Sequence, residues 1–156
     1  MPGERGVRYW LMKSEPDAFS IDDLKKRKRS PWDGVRSFMA RNQMQAMRVG
    51  DLALFYHSST EPPGVVGLSR VVREAYPDHT QFDRKSKYFD AKSTRETPRW
   101  MHVDVKLNKK TRLLSLREMR ERPELADMIV LRPGNRLSIT PVEPAQWRAV
   151  LALLRA

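Results

Sequence analysis

Between Trp32 and Ser59 the chain crowds most of its chemically unusual side chains: Trp32, Arg36, Arg41 and Asn42 in the first half, Tyr56, His57 and Ser58 near the end. Aromatic faces beside amide, hydroxyl, imidazole and guanidinium groups suit a pocket for a flat polar ligand, because the rings stack while the polar groups read the ligand's edge. A second group, Lys13, Ser14 and Glu15, stands directly before Pro16. A third is a bare run of cations, Lys25, Lys26, Arg27, Lys28 and Arg29. Such a run contacts phosphate, serves as a localisation signal, or is a solvated helix end.

Catalysis would require a nucleophile, a base and an orienting group. The chain contains no G-x-S-x-G, P-loop, H-E-x-x-H or G-x-G-x-x-G motif. Of its three histidines only His57 adjoins other unusual polar residues. The enzymatic alternative is therefore a nuclease or RNA-modifying activity built on His57 with Asp78 or Glu15. Asp51, Asp78 and Asp90 show no metal-ligand spacing, and the lack of cysteine removes thiolate zinc sites and disulfides together, so neither metal nor cofactor is expected. A base reader asks for less. Stacking is worth roughly 1–3 kcal/mol per base, against a few kcal/mol to unstack one from a duplex, so hydrogen bonds to the base edge must supply selectivity. Trp32 is the expected stacking ring, and Asn42 the first choice for an edge contact because an amide both donates and accepts.

At 156 residues the length fits one domain with a real core. The net charge of +11 speaks of partners, and nucleic acid is the usual partner of such a surface. A membrane is the rival. Against it, no apolar run approaches the roughly eighteen residues a span needs, and no signal peptide opens the chain. The expectation is a monomer in a reducing, cytoplasmic compartment.

The elements that must position these groups follow from local signals. Val7–Met12 is a strand, after polar residues 1 to 7. Ser20 with Asp23 forms a capping box that opens a helix, Ile21 to about Lys28. Asp33-Gly34 is a turn, Ser37 caps a helix from Phe38 to Met47, and Gly50 closes it. Leu52–His57 and Val65–Val72 are strands, after which Arg73–Asp78 leads out of the sheet. Residues 79–99 form a long polar loop carrying Phe82, Tyr88 and Phe89. Trp100–Leu107 alternates as a half-buried strand. Ser115 and Glu118 make a second capping box for a helix to about Glu121, with a further turn over Pro123–Met128. A short strand, Leu137–Ile139, precedes a helix from Pro144 that places Trp147, Val150, Leu151 and Leu154 on one face, as core.

The motifs Y-W-L-M-K-S-E-P at 9–16, W-D-G-V-R at 32–36, A-R-N at 40–42, M-R-V-G-D at 47–51, F-Y-H-S at 55–58, V-V-G-L at 65–68, A-Y-P-D at 75–78 and P-R-W at 98–100 resemble the EVE domain family over nearly the whole chain. That resemblance implies an α+β, PUA-like mixed β-barrel of five to six strands flanked by short helices, akin to the ASCH and YTH domains. It implies a non-enzymatic reader of a modified base, a modified cytosine in DNA first and an RNA base as the alternative. The implied pocket is Trp10, Lys13, Ser14, Glu15, Trp32, Val35, Arg36, Arg41, Asn42, Tyr56, His57 and Ser58, closed by Tyr76, Pro77, Asp78 and Trp100. Ser37, Phe38 and Met39 replace the asparagine, tyrosine and glutamine common there, which changes the edge available for reading. The short lead-in resembles a stand-alone bacterial member.

Overall fold

The computed structural model describes residues 5–155. Six strands build one mixed sheet: β1 (Tyr9–Ser14), β2 (Arg29–Pro31), β3 (Leu52–His57), β4 (Gly64–Pro77), β5 (Met101–Ser115) and β6 (Ile139–Val142), in the order β2-β5-β4-β3-β1-β6. Four α-helices flank it: α1 (Ile21–Arg27), α2 (Phe38–Ala46), α3 (Leu116–Arg120) and α4 (Pro144–Arg155). This is the expected α+β architecture. The end strands β2 and β6 do not pair with each other, so the barrel stays open in its hydrogen bonding, and α2 packs against β4, β5 and β6. No helix among the described residues is long and apolar enough to cross a membrane.

Strands β1 and β3 pair in parallel, Tyr9 opposite Leu52 through Ser14 opposite His57, and both read as continuous apolar runs because both sheet faces are covered. Trp10, Met12, Ala53 and Phe55 enter one core with Leu24 of α1 and Met44 of α2. Leu11, Leu54 and Tyr56 enter the other with Met119 of α3 and Trp147 and Val150 of α4. The helices start where their caps predict. Ser20 accepts from the Asp23 amide at 3.1 Å while Asp23 accepts from the Ser20 amide at 2.9 Å, and Ser37 and Ser115 cap α2 and α3.

Several boundaries differ from the sequence expectation. Strand β1 continues through Lys13 and Ser14, since the Lys13 amide donates to the Ser138 carbonyl at 2.8 Å and the parallel ladder reaches His57. Helix α1 stops at Arg27 because Lys28 takes φ of 65°, after which Arg29–Pro31 becomes a strand on the edge of β5. Arg73–Pro77 stays in the sheet, and β4 and β5 pair far beyond their apolar halves, with irregularities that let the long ribbon bend. Strand β6 begins two residues later and ends three later than expected, at the sheet edge, where Pro141 is tolerated.

Trp32 is as deeply buried as Trp147, at 6% and 5% exposure, and meets Phe55 edge-on at 5.3 Å between ring centroids. A site tryptophan with little role in stability is therefore not what the fold contains. Trp32→Ala and Trp147→Ala should each cost about 3–5 kcal/mol of unfolding free energy, as large-to-small core changes do, measured by denaturant titration. A loss near zero for Trp32→Ala would remove it from the core.

Candidate functional site

A cavity of about 550 Å³ opens where β1 ends. Lys13, Ser14 and Glu15 line one side, with Ala18 and Phe19 from the turn that follows. Arg27, Ser30 and Pro31 continue the wall, the loop from Trp32 to Arg36 forms the next side, and Lys87, Tyr88 and the Ser138 turn close it. Aromatic surface comes from Phe19, Trp32 and Tyr88; Lys13 supplies an ammonium, and Glu15 and Asp33 supply carboxylates. Burial pushes the Lys13 pKa down from its ordinary value.

Two loops distant in sequence meet here through Arg36 and Asp78. All five guanidinium N–H donors of Arg36 are engaged: Nε and one terminal nitrogen donate to the Tyr88 carbonyl at 3.0 and 2.7 Å, and the others reach the Val35 carbonyl at 2.8 Å, Asp78 at 3.2 Å and Thr80 Oγ1 at 3.0 Å. Asp78 is fully buried and also accepts from the Gly34 amide and from the Thr80 amide, each at 2.8 Å. Burial pushes its carboxyl pKa up, but hydrogen bonds from Thr80, Gly34 and Arg36 outweigh that and hold it below the ordinary value. Gly34 has φ of 79°, and a Cβ there would stand 2.6 Å from the Tyr88 ring, so glycine lets the ring close over the loop. Behind this pair, Gln81 fastens the ends of the 79–99 segment by donating to the Asp78 and Trp100 carbonyls at 2.7 and 2.8 Å.

Of the residues expected in the pocket, the structure brings together Lys13, Ser14, Glu15, Trp32, Val35 and Arg36. Arg36 lines the cavity but, with its donors spent, positions the walls. Trp10 lies elsewhere: its indole N–H donates to buried Asp51 at 3.0 Å. Asn42 is exposed on α2, where its carbonyl accepts from Arg41, and Arg41 also reaches the Arg99 carbonyl at 3.0 Å. Tyr56 belongs to the opposite core. The Ser58 amide donates to the Ser14 carbonyl at 3.0 Å, which ties the two strand ends together. Tyr76 donates to Asp104 at 2.5 Å, Pro77 is exposed at the end of β4, and Trp100 is held by Asp90, which accepts from its indole at 2.7 Å. Asp78 and Trp100 thus support the cavity from behind. Phe19, Asp33, Lys87 and Tyr88 are lining residues that sequence reasoning missed; the aromatic residues scattered through the polar 79–99 segment were the available signal for Tyr88.

The cation run borders the cavity through Arg27, whose guanidinium lies 5.3 Å from the Phe19 ring centroid. Arg29 pairs with Asp104 at 3.1 Å. Lys25, Lys26 and Lys28 are exposed and make no ion pair among the described residues.

The histidines are structural in their contacts. His57 Nε2 accepts from the Ile21 amide at 3.1 Å, at the start of α1, and neither Asp78 nor Glu15 is its hydrogen-bond partner. The geometry of a His57-centred catalytic pair is therefore not assembled. His102 is buried with neither ring nitrogen hydrogen-bonded among the described residues. Asp78, His79 and His102 are the one group of potential ligands within 4.8 Å of one another among the described residues, yet the Asp78 carboxylate is already fully engaged by Gly34, Arg36 and Thr80. Burial pushes the pKa of both His57 and His102 down. A lowered imidazole pKa means that the unfolded chain binds the proton first, so the stabilisation is complete above the unfolded value near 6.5 and falls as pH drops towards the folded values. Unfolding free energies should therefore decline from pH 7.5 to pH 5.5, and the decline should be shallower in His57→Gln and His102→Gln; an identical slope in all three proteins would contradict this.

Comparison with known proteins places this geometry. The EVE domain family pattern matches residues 8–153. Thymocyte nuclear protein 1 of Gallus gallus is 40% identical over 165 residues, covering 93% of this chain and 68% of the relative. A hypothetical protein from Leishmania major superposes with a TM-score of 0.93 at 50% identity, covering 96% of each chain. Human THYN1, solved in complex with 5-methylcytosine containing DNA, superposes with a TM-score of 0.90 at 38% identity, covering 96% of this chain and 99% of that one. A Zymomonas mobilis ASCH protein, at 10% identity and a TM-score of 0.54, shares the fold alone. With the family pattern spanning almost all of the described residues, and the same fold at up to half identity in solved relatives, the chain belongs to the EVE domain family.

Proposed function

We propose that this protein binds DNA and holds a modified cytosine, extruded from the duplex, in the cavity between the end of β1 and the Tyr88 loop. The observation that carries this reading is that human THYN1, whose solved chain superposes on 96% of this one, was solved with 5-methylcytosine containing DNA. The cavity is chemically suited to such a base. Its volume of about 550 Å³ lies within the roughly 300–1,000 Å³ usual for ligand pockets. Phe19, Trp32 and Tyr88 offer apolar surface to a ring and its methyl group. Asp33 is a carboxylate of the kind that accepts from the cytosine exocyclic amine, and Lys13 donates to ring acceptors. Lys25, Lys26 and Lys28 are exposed and unpaired among the described residues, in the run whose Arg27 lines the cavity, and are available to phosphates, which position a nucleic acid without reading it.

The two contributions separate by titration at controlled salt. Wild type should bind a duplex with one 5-methylcytosine more tightly than its unmodified twin, and Lys13→Ala should erode that preference. Lys25→Gln, Lys26→Gln and Lys28→Gln together should weaken binding to both duplexes alike and flatten the salt dependence by about 0.9 per lost phosphate contact. Equal affinity of wild type for the two duplexes at every salt concentration would contradict the cavity reading for this modification.

A further inference from the structure

We infer that Phe38 and Met39 form an apolar wedge that enters the base stack of duplex DNA beside the cavity, an inference that rests on the reading of the cavity as a site for an extruded base. Phe38 is 48% exposed and Met39 59%, and they are the one adjacent pair among the large apolar side chains exposed at the surface of the described residues. They are the first two residues of α2, immediately after the loop that lines the cavity, and the helix buries a different face, through Ala40 and Met44. Neither side chain belongs to either of the two core clusters.

Their surroundings point to a polyanion. The Phe38 ring stacks on Trp100 with centroids 4.8 Å apart and planes inclined by 24°. The guanidinium carbon of Arg41 lies 4.8 Å, and that of Arg99 5.6 Å, from the Phe38 ring centroid. On the cavity side, Arg36 lies 5.5 Å from the Trp100 ring centroid. The wedge is thus separated from the cavity by one indole and one guanidinium, and its base is ringed by arginines. Phosphates flanking a base stack match that arrangement: the apolar tip meets bases while guanidiniums face the backbone.

The chemistry explains why such a tip belongs next to this cavity. Extruding a base leaves a gap in the stack and costs a few kcal/mol, which phenylalanine, leucine and methionine wedges commonly offset by filling the step. A base already outside a duplex leaves no gap. The wedge should therefore matter for paired DNA and not for single strands.

The test compares wild type, Met39→Gln and the double variant Phe38→Ala/Met39→Ala on a duplex bearing one 5-methylcytosine and on the same modified strand alone. Met39→Gln keeps the Phe38 stack on Trp100 and adds no charge that would repel both strands alike, so it serves as a second variant should the double change unfold α2. Both variants should lose about tenfold or more in affinity for the duplex, a fraction of the few kcal/mol that unstacking requires, with less than about twofold change on the single strand. A 2-aminopurine placed beside the modified base should brighten on binding wild type and stay dim with the variants. An unchanged duplex-to-single-strand ratio, or equal losses on both, overturns the wedge. Failure of the cavity reading has a different signature, namely wild type binding modified and unmodified single strands alike.

Discussion

The buried carboxylate of Asp78 is the fixed point of the site. It sits at the end of β4 with no contact to solvent, and its four bonds gather Gly34, Arg36 and Thr80 around one charge. Breaking a buried ion pair by removing one partner typically costs about 3–5 kcal/mol, because the remaining charge is left uncompensated. Here that penalty keeps two separate loops in register. Arg36 answers Asp78 and simultaneously holds the Tyr88 carbonyl, so the cavity wall from residues 32–36 and the wall from the 79–99 segment cannot part without exposing unpaired groups. The cavity therefore has a built shape before any ligand arrives.

Around that shape the charges divide into two sets with different work. Asp51, Asp78 and Asp90 are satisfied from within, by Arg5 and Trp10, by Arg36 and Thr80, and by Trp100 and Arg99. Lys25, Lys26 and Lys28 are not paired among the described residues and face solvent, on either side of Arg27, which lines the cavity. The first set spends its charge on geometry, and at buried Asp51 and Asp78 low dielectric makes each hydrogen bond count. The second supplies a long-range field that a counter-ion atmosphere screens and a polyanion displaces. Lys13 stands between the two, half-buried inside the cavity, where burial lowers its pKa and a ligand acceptor would restore what desolvation takes.

Much of the fold is legible in the chain. Ser20, Ser37 and Ser115 mark helix starts because a capping hydroxyl acts through its own neighbours, and Leu52–His57 declares a doubly covered strand by composition. Signals fail where partners come from afar. Arg29–Pro31 is a strand only because β5 offers an edge, and β4 and β5 run on through charged residues because each completes the other's ladder. The same distinction governs the site. Lys13, Trp32 and Arg36 are visible as residue types near a strand end and a turn, while Asn42 and Trp10 look equally suited until their helix and their bond to Asp51 turn them away. Tyr88 is placed by a glycine and an arginine far upstream, which no local pattern in its own loop announces.

The four tryptophans give the most direct test of the claim that this cavity is the base site. Trp32 alone among them lines it, while Trp10 is tied to Asp51, Trp100 to Asp90, and Trp147 stacks on Tyr9 with ring centroids 4.7 Å apart. In a ¹⁵N-correlated spectrum each gives its own indole N–H resonance, and titration with the nucleoside 5-methyl-2′-deoxycytidine reads them separately. The Trp32 resonance should move, with the backbone amides of Lys13 and Tyr88, while those of Trp10 and Trp147 stay in place. Shifts confined to Trp10 and its neighbours in the groove between Val7 and Pro144, with Trp32 unmoved, would contradict the account.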